Sequence, residues 1–463
     1  MTSRQSSFET MLSPAMIFTM LAAILSLLIA VNGGENALSY QVAAVSLMAI
    51  TLFATRVIPE TAVSLFTFLA FLALAAAPPE VIFSGFATSG FWLLFSGLLI
   101  GTAITATGLG RQIALRIFRR TGASYPKAVI SLAICGVMLG VLVPSTIPRI
   151  IVLMPISMSL AQTMGYEPGS RGYIGLTAIA VTSTLLPTFA ILTANLPTIV
   201  HFGALETLFG LEPAYAHYFV MQFPVNLVRL LVLLAFLIPF ANNSSSIDSS
   251  IELPEPLTAL QQKLFLLLAI AIAFWATDFL HGISPAWIAL TLAAILMLPS
   301  LGFLEKTVMK DKIDMSPAFF LAGVFCISAV MRHLGLDTQF ANAVIPQLGL
   351  GENGRLWDLY ATSGLAMFMS QFTTAPAAPL ILAPLAQPIA DATGLPLETI
   401  AMAQIIGIAV PLLPYQAPPL ILAMAMAQIP MRVLIQICLV LALAVAAIGL
   451  PITYFWWQFL GAI

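Results

Sequence analysis

Val143-Pro144-Ser145-Thr146-Ile147-Pro148-Arg149 lies at the centre of an otherwise apolar stretch, 125–164. Proline removes a backbone donor and clashes with the preceding turn, so a helix entering this stretch ends near Pro144. A second apolar stretch, 356–390, is broken in the same way by Ser370-Gln371-Phe372-Thr373-Thr374-Ala375-Pro376. At membrane depth such breaks are tolerated only where the freed backbone is buried in protein or lines a wet cavity. Both stretches are long enough to enter and return, and they read as re-entrant hairpins.

The surrounding sequence sets these breaks in a membrane. Of 463 residues, 60% are apolar and 8% are charged, against about 25% charged in soluble domains. This excludes a cytosolic enzyme, a nucleic-acid binder and a disordered chain. Apolar runs at 11–31, 40–55, 61–77, 88–107, 173–199, 218–240, 261–280, 284–300, 316–332, 397–427 and 430–459 qualify as spans. The expected fold class is an all-α polytopic membrane protein with about 11 transmembrane helices plus the two hairpins. The first run is too long for a signal-peptide core and reads as a retained span. Cys135, Cys326 and Cys438 match no disulfide or metal spacing and read as buried hydrophobes. The four histidines match no metal spacing either.

With the N-terminus in the cytoplasm, thirteen of the 17 Lys and Arg residues fall on the cytoplasmic side and only Arg332 and Arg355 outside. Arg149 and Arg229 remain within the membrane. This positive-inside bias supports the topology and an inner (plasma) membrane location.

The two halves look duplicated. Ser145 pairs with Thr374, Pro155 with Pro384 and Pro187 with Pro414, at offsets of 227–229 residues. An odd number of crossings separates equivalent spans, so the repeats are inverted. The expected organisation is a first span (1–39), a first repeat (40–241) with hairpin 125–164 and broken span 173–199, a cytoplasmic linker (242–260), and a second repeat (261–463) with hairpin 356–390 and broken span 397–427. Inverted repeats with matching broken helices point to a secondary transporter with a midplane site.

Half-helix N-termini suit an anion, and unwound carbonyls suit a cation such as sodium. Candidate substrate-binding residues are Ser145, Thr146, Arg149, Thr193, Asn195, Thr373, Thr374 and Pro418. Candidate ion-binding residues are Ser145, Thr184, Thr374, Pro414 and Gln416. Hydroxyls, amides and one arginine, with no Asp or Glu, favour an anion. Arginine can grip a carboxylate, sulfate or phosphate in a bidentate fork; the competing role for Arg149 is to snorkel to the cytoplasmic surface or to brace the hairpin against backbone carbonyls. Arg229 reads as structural or snorkelling.

At the hairpins the chain resembles the divalent anion:sodium symporter family, whose pattern is a Ser-Asn-Thr tip followed by small residues and a proline. Ser145 to Pro155 and Thr374 to Pro384 align with that stretch without a gap. Leu192-Thr193-Ala194-Asn195-Leu196-Pro197 and Arg149 resemble the citrate and oxoglutarate/malate exchanger branch, and Pro414-Tyr415-Gln416-Ala417-Pro418-Pro419 resembles the second unwound loop. Both tip asparagines are replaced, since the tips read Ser145-Thr146-Ile147 and Thr374-Ala375-Pro376. The resemblance implies a homodimeric, elevator-type transporter of di- or tricarboxylates or sulfate, with spans 40–77 and 261–300 as scaffold. It implies no cofactor beyond Na+ as a coupling ion. The anion and the mode, sodium symport or anion exchange, stay open.

The competing transport reading is a cation/proton antiporter, which needs a titratable carboxylate in the core. Asp278, Asp358, Asp391 and Glu398 all sit at span ends. An intramembrane enzyme or a sensor is a third reading, but no His-Glu-x-x-His or Gly-x-Ser-x-Gly occurs. No catalytic residue and no metal site are expected.

Overall fold

The computed structural model describes residues 14–31, 36–121, 124–241 and 255–463. Arg4 and most of the expected 242–260 linker lie outside them. The described residues are helical, with no strand among them. The first half contains α1 (Pro14–Val31), α2 (Ala37–Thr55), α3 (Glu60–Ala73), α4 (Ser89–Thr107) and α5 (Leu109–Thr121). It continues with α6 (Tyr125–Leu142), α7 (Thr146–Thr163), α8 (Arg171–Leu185), α9 (Leu196–Phe209) and α10 (Tyr215–Leu237). The second half contains α11 (Ala259–Ala276), α12 (Pro285–Leu296), α13 (Ser316–His333), α14 (Leu336–Val344) and α15 (Arg355–Met369). Its remaining helices are α16 (Ala386–Thr393), α17 (Leu397–Ile408), α18 (Pro418–Ala427), α19 (Met431–Ala444) and α20 (Leu450–Phe459). Eight helical stretches among the described residues are long and apolar enough to cross a membrane, and shorter apolar helices accompany them.

Apolar composition takes two forms here. Helix α8 is buried on every side, with each residue from Gly172 to Leu185 in the core. Helix α1 instead leaves Leu21, Ile24, Leu25, Leu27 and Leu28 at least half exposed, as a helix facing lipid would.

Prolines break and restart the helices around the centre. Helix α6 ends at Leu142, Val143 is extended, and α7 restarts at Thr146. Helix α8 gives way to a short 3-10 turn, Pro187–Ala190, and Ile191 is extended. Helix α9 then starts behind Asn195 with Pro197 in its first turn, where a missing N–H costs nothing. It runs to Gly210, whose left-handed φ of 67° ends it. The second half-helix therefore extends past the expected boundary at 199. Helices α17 and α18 flank a similar break, with a 3-10 turn at Pro414–Gln416.

Distant side chains then fix these pieces. Pro224 inside α10 leaves the Val220 carbonyl without its helical donor, and Trp456 Nε1 fills it at 2.9 Å. Gln222 Nε2 donates to Met402 O (2.8 Å) and Ser363 Oγ to Ala403 O (2.9 Å), so α10 and α15 both grip α17. Gly407 lets α17 approach closely, since a Cβ there would run into Ser363 O and Ala366.

Candidate functional site

The breaks surround a cavity of about 610 Å³. Ser145, Thr146, Asn195 and Pro418 line it, together with Ala375 and Pro411. Ser145 precedes α7, Asn195 precedes α9 and Ala417, also lining, precedes α18. None of these three positions closes its helix end with a side-chain hydrogen bond. Three helix N-termini thus converge on one space, each carrying roughly half a positive charge. Helix α18 contributes mainly dipole, because Pro418 and Pro419 have no N–H.

Arg149 sits behind this surface with no exposed area, and it is not among the cavity-lining residues. Its Nη2 donates to Thr146 Oγ1 (2.7 Å), to Asn195 Oδ1 (3.3 Å) and to the Ala194 carbonyl. Its Nε donates to Ser145 O at 3.1 Å. The network continues outward: Thr146 Oγ1 donates to Asn195 Oδ1 (3.2 Å), and Asn195 Nδ2 donates to Thr188 Oγ1 (3.2 Å). Thr188 donates in turn to Leu185 O at 2.8 Å. One guanidinium and one amide therefore tie the tip of the α6–α7 hairpin to the break after α8. All acceptors are neutral oxygens.

Gln416 does the matching work in the second half. Its Oε1 accepts from the N–H groups of Leu412 and Leu413, both at 2.8 Å, and its Nε2 donates to Ser370 O at 2.7 Å. Its carbonyl accepts from Ala375 N at 2.9 Å. Gln416 and Pro414 are themselves buried. Thr374 is buried beside Ala375, its carbonyl accepting from Ala377 N and Ala378 N. Thr373 and Thr193 are buried next to the breaks, and Thr184 is buried in the last turn of α8. Of the residues singled out from sequence, Ser145, Thr146, Asn195 and Pro418 line the cavity, and Arg149, Thr184, Thr193, Thr373, Thr374, Pro414 and Gln416 do not.

Four charged residues also line the cavity: Arg56, Glu60, Lys312 and Asp314, which corrects the expectation that no Asp or Glu joins it, because the ends of helices far apart in sequence border the same space. Arg56 and Glu60 are paired at 3.0 Å. From the sequence, Arg56 and Lys312 mark only the cytoplasmic side. Their place at one cavity depends on two loops far apart in the chain, which no local pattern reveals.

Comparison with known proteins bears on the family and the fold. The family described as "Sodium:sulfate symporter transmembrane region" matches residues 10–463. A membrane protein of Cupriavidus necator is 22% identical over 72% of this chain and 68% of its own length. The L-tartrate/succinate antiporter of Escherichia coli K12 is 22% identical over 57% of each chain, so this chain spans just over half the length of that relative. Among solved structures, the Alcanivorax borkumensis YdaH transporter superposes with a TM-score of 0.58 at 16% identity, covering 87% of this chain and 99% of its own. Neisseria gonorrhoeae MtrF superposes with a TM-score of 0.57 at 14% identity, covering 85% and 95%. These two share the fold. On the family match over nearly its whole length, the chain belongs to the sodium:sulfate symporter family of membrane transporters, the divalent anion:sodium symporters.

Proposed function

We propose that this protein moves a small dianion, a dicarboxylate or a sulfate-like ion, across the inner membrane by anion exchange. The observation that carries the reading is the convergence of three helix N-termini on one cavity, backed by the Arg149 guanidinium. Ser145 offers the substrate a hydroxyl, Asn195 the second N–H of its amide, and α7 and α9 their first-turn N–H groups, while the Thr146 hydroxyl proton is held by Asn195.

Exchange is favoured over sodium symport by what surrounds Arg149. Two carbonyls, a hydroxyl and an amide oxygen are the ligands a sodium ion would use, and here they serve a tethered cation. A permanent charge leaves no need for a coupling ion at this break. The antiporter activity in the name of the Escherichia coli relative supports the same mode.

The cavity-lining Arg56 and Lys312 fall on the side richest in basic residues, so by the positive-inside rule the cavity opens to the cytoplasm. The hairpins and broken helices would carry the substrate against a scaffold containing α2, α3, α11 and α12, in a homodimer whose N-termini face the cytoplasm. This part rests on the family resemblance.

The test uses protein reconstituted in liposomes loaded with unlabelled succinate or sulfate. Labelled succinate or sulfate should enter loaded vesicles at least tenfold faster than empty ones, with or without a sodium gradient. Uptake that needs inward sodium and ignores the internal anion would replace exchange by symport. Absence of uptake under every condition would overturn the reading.

A further inference from the structure

Arg229 is the second buried cation, 1% exposed on α10. Its Nη1 donates to Asn226 Oδ1 at 2.7 Å and its Nη2 to Ile406 O at 2.9 Å. Ile406 lies in the last turn of α17, and the break removes its helical donor: Val410 N bonds to Gly407 O instead. Arg229 therefore closes an orphaned carbonyl at the negative end of a half-helix. The nearby Tyr218 hydroxyl donates to Phe189 O at 2.7 Å. Among the described residues no carboxylate pairs with Arg229; the ion pairs there involve Arg56, His217, Lys312 and Arg355.

The position matters as much as the bonds. Arg229 lines a small gap with Leu186, Val410 and Pro411. Leu186 and Pro411 also line the large cavity, so Arg229 lies one layer of side chains behind the substrate space, on the side of the α17 break. Arg149 lies behind the same space, at the tip of the α6–α7 hairpin. Two fixed positive charges, neither ion-paired with a carboxylate among the described residues, thus flank one cavity, whose lining charges Arg56, Glu60, Lys312 and Asp314 balance one another. In a medium of low dielectric each acts on an anion across that layer.

We infer that Arg229 is a specificity-determining positioning residue: its uncompensated charge, anchored to the α17 break, favours an anion bearing two charges over one bearing a single charge. The inference rests on the proposed anion transport and assigns a residue to it.

Two variants separate charge from structure. Arg229→Gln removes the charge. Asn226→Asp keeps the guanidinium and its bond to Ile406 but places a carboxylate against Nη1. The measurement is inhibition of labelled succinate exchange by succinate and by succinamate, in which one carboxylate is an amide. Wild type should prefer succinate, and each variant should lose about tenfold of that preference, chiefly through a higher KM for succinate, while Arg229→Lys retains most of it. Equal weakening of both ligands, or an unchanged ratio in Asn226→Asp, would overturn the assignment. If Arg229→Gln fails to fold, Asn226→Asp decides alone. A wild-type protein that exchanges neither anion would overturn the underlying function, a result distinct from variants that match a discriminating wild type.

Discussion

Arg149 is held by four neutral oxygens, and Gly140 makes the space for it. A Cβ at Gly140 would run into Thr188 and stand 2.9 Å from Arg149 Nη1. Gly140→Ala should therefore displace the two side chains that join the hairpin to the α8 break. The expected cost is about 1–3 kcal/mol of stability, the range for overpacking a filled core, with loss of anion binding. Thermal unfolding in detergent and succinate binding check it together; a variant with unchanged affinity would mean the network does not position the site. Arg149 was legible in sequence as a charge within an apolar stretch. The direction of its guanidinium was not, because that depends on Ala194 and Asn195, more than forty residues downstream.

At the scale of elements, the breaks were legible because proline has a local cause and a local effect. The far ends of the half-helices were not. Helix α9 runs on to Gly210 because its buried residues pack in the protein interior, where an apolar-run criterion has no force. The caps supplied by distant chain were also invisible. Glu206, near the end of α9, accepts from Ser89 N at 2.8 Å and Ser89 Oγ at 2.6 Å, closing the start of α4. Asp278 does the same for Tyr215 N at the start of α10. Glu206→Ala should cost about 1–2 kcal/mol, the scale of a lost N-cap, seen as a lower midpoint of thermal unfolding. The substrate KM should barely move, since Glu206 does not line the large cavity. A large KM change would instead tie this contact to substrate binding.

At the scale of the whole molecule, composition gave the membrane, and the spacing of broken stretches located the elements that build the cavity. The cavity itself required the fold, because Ser145, Asn195 and Pro418 come from three separate helix starts and Arg56 and Lys312 from two more loops. Helix α13 runs from Ser316 at the cavity to Arg332 and His333, about 27 Å at 1.5 Å per residue. That length would span most of the hydrocarbon layer, so the proposed topology puts the charged cavity lining and Arg332 on opposite faces. The proposed preference for an anion rests on helix direction and on two buried arginines, against a lining whose own four charges, Arg56, Glu60, Lys312 and Asp314, balance. The chemical identity of the anion depends on cavity shape, which no sequence pattern encodes.

The central claim is that this cavity holds a small anion, and Ala375 offers a direct probe of it. Ala375 is a small cavity-lining residue, and the three native cysteines are buried. Ala375→Cys should react with a small thiol reagent in the purified protein. Succinate or sulfate should slow that reaction at least fivefold in a saturable way, while neutral analogues and sodium without the anion should not. Labelling that proceeds at the same rate at every concentration of dicarboxylate, tricarboxylate and sulfate would contradict the account.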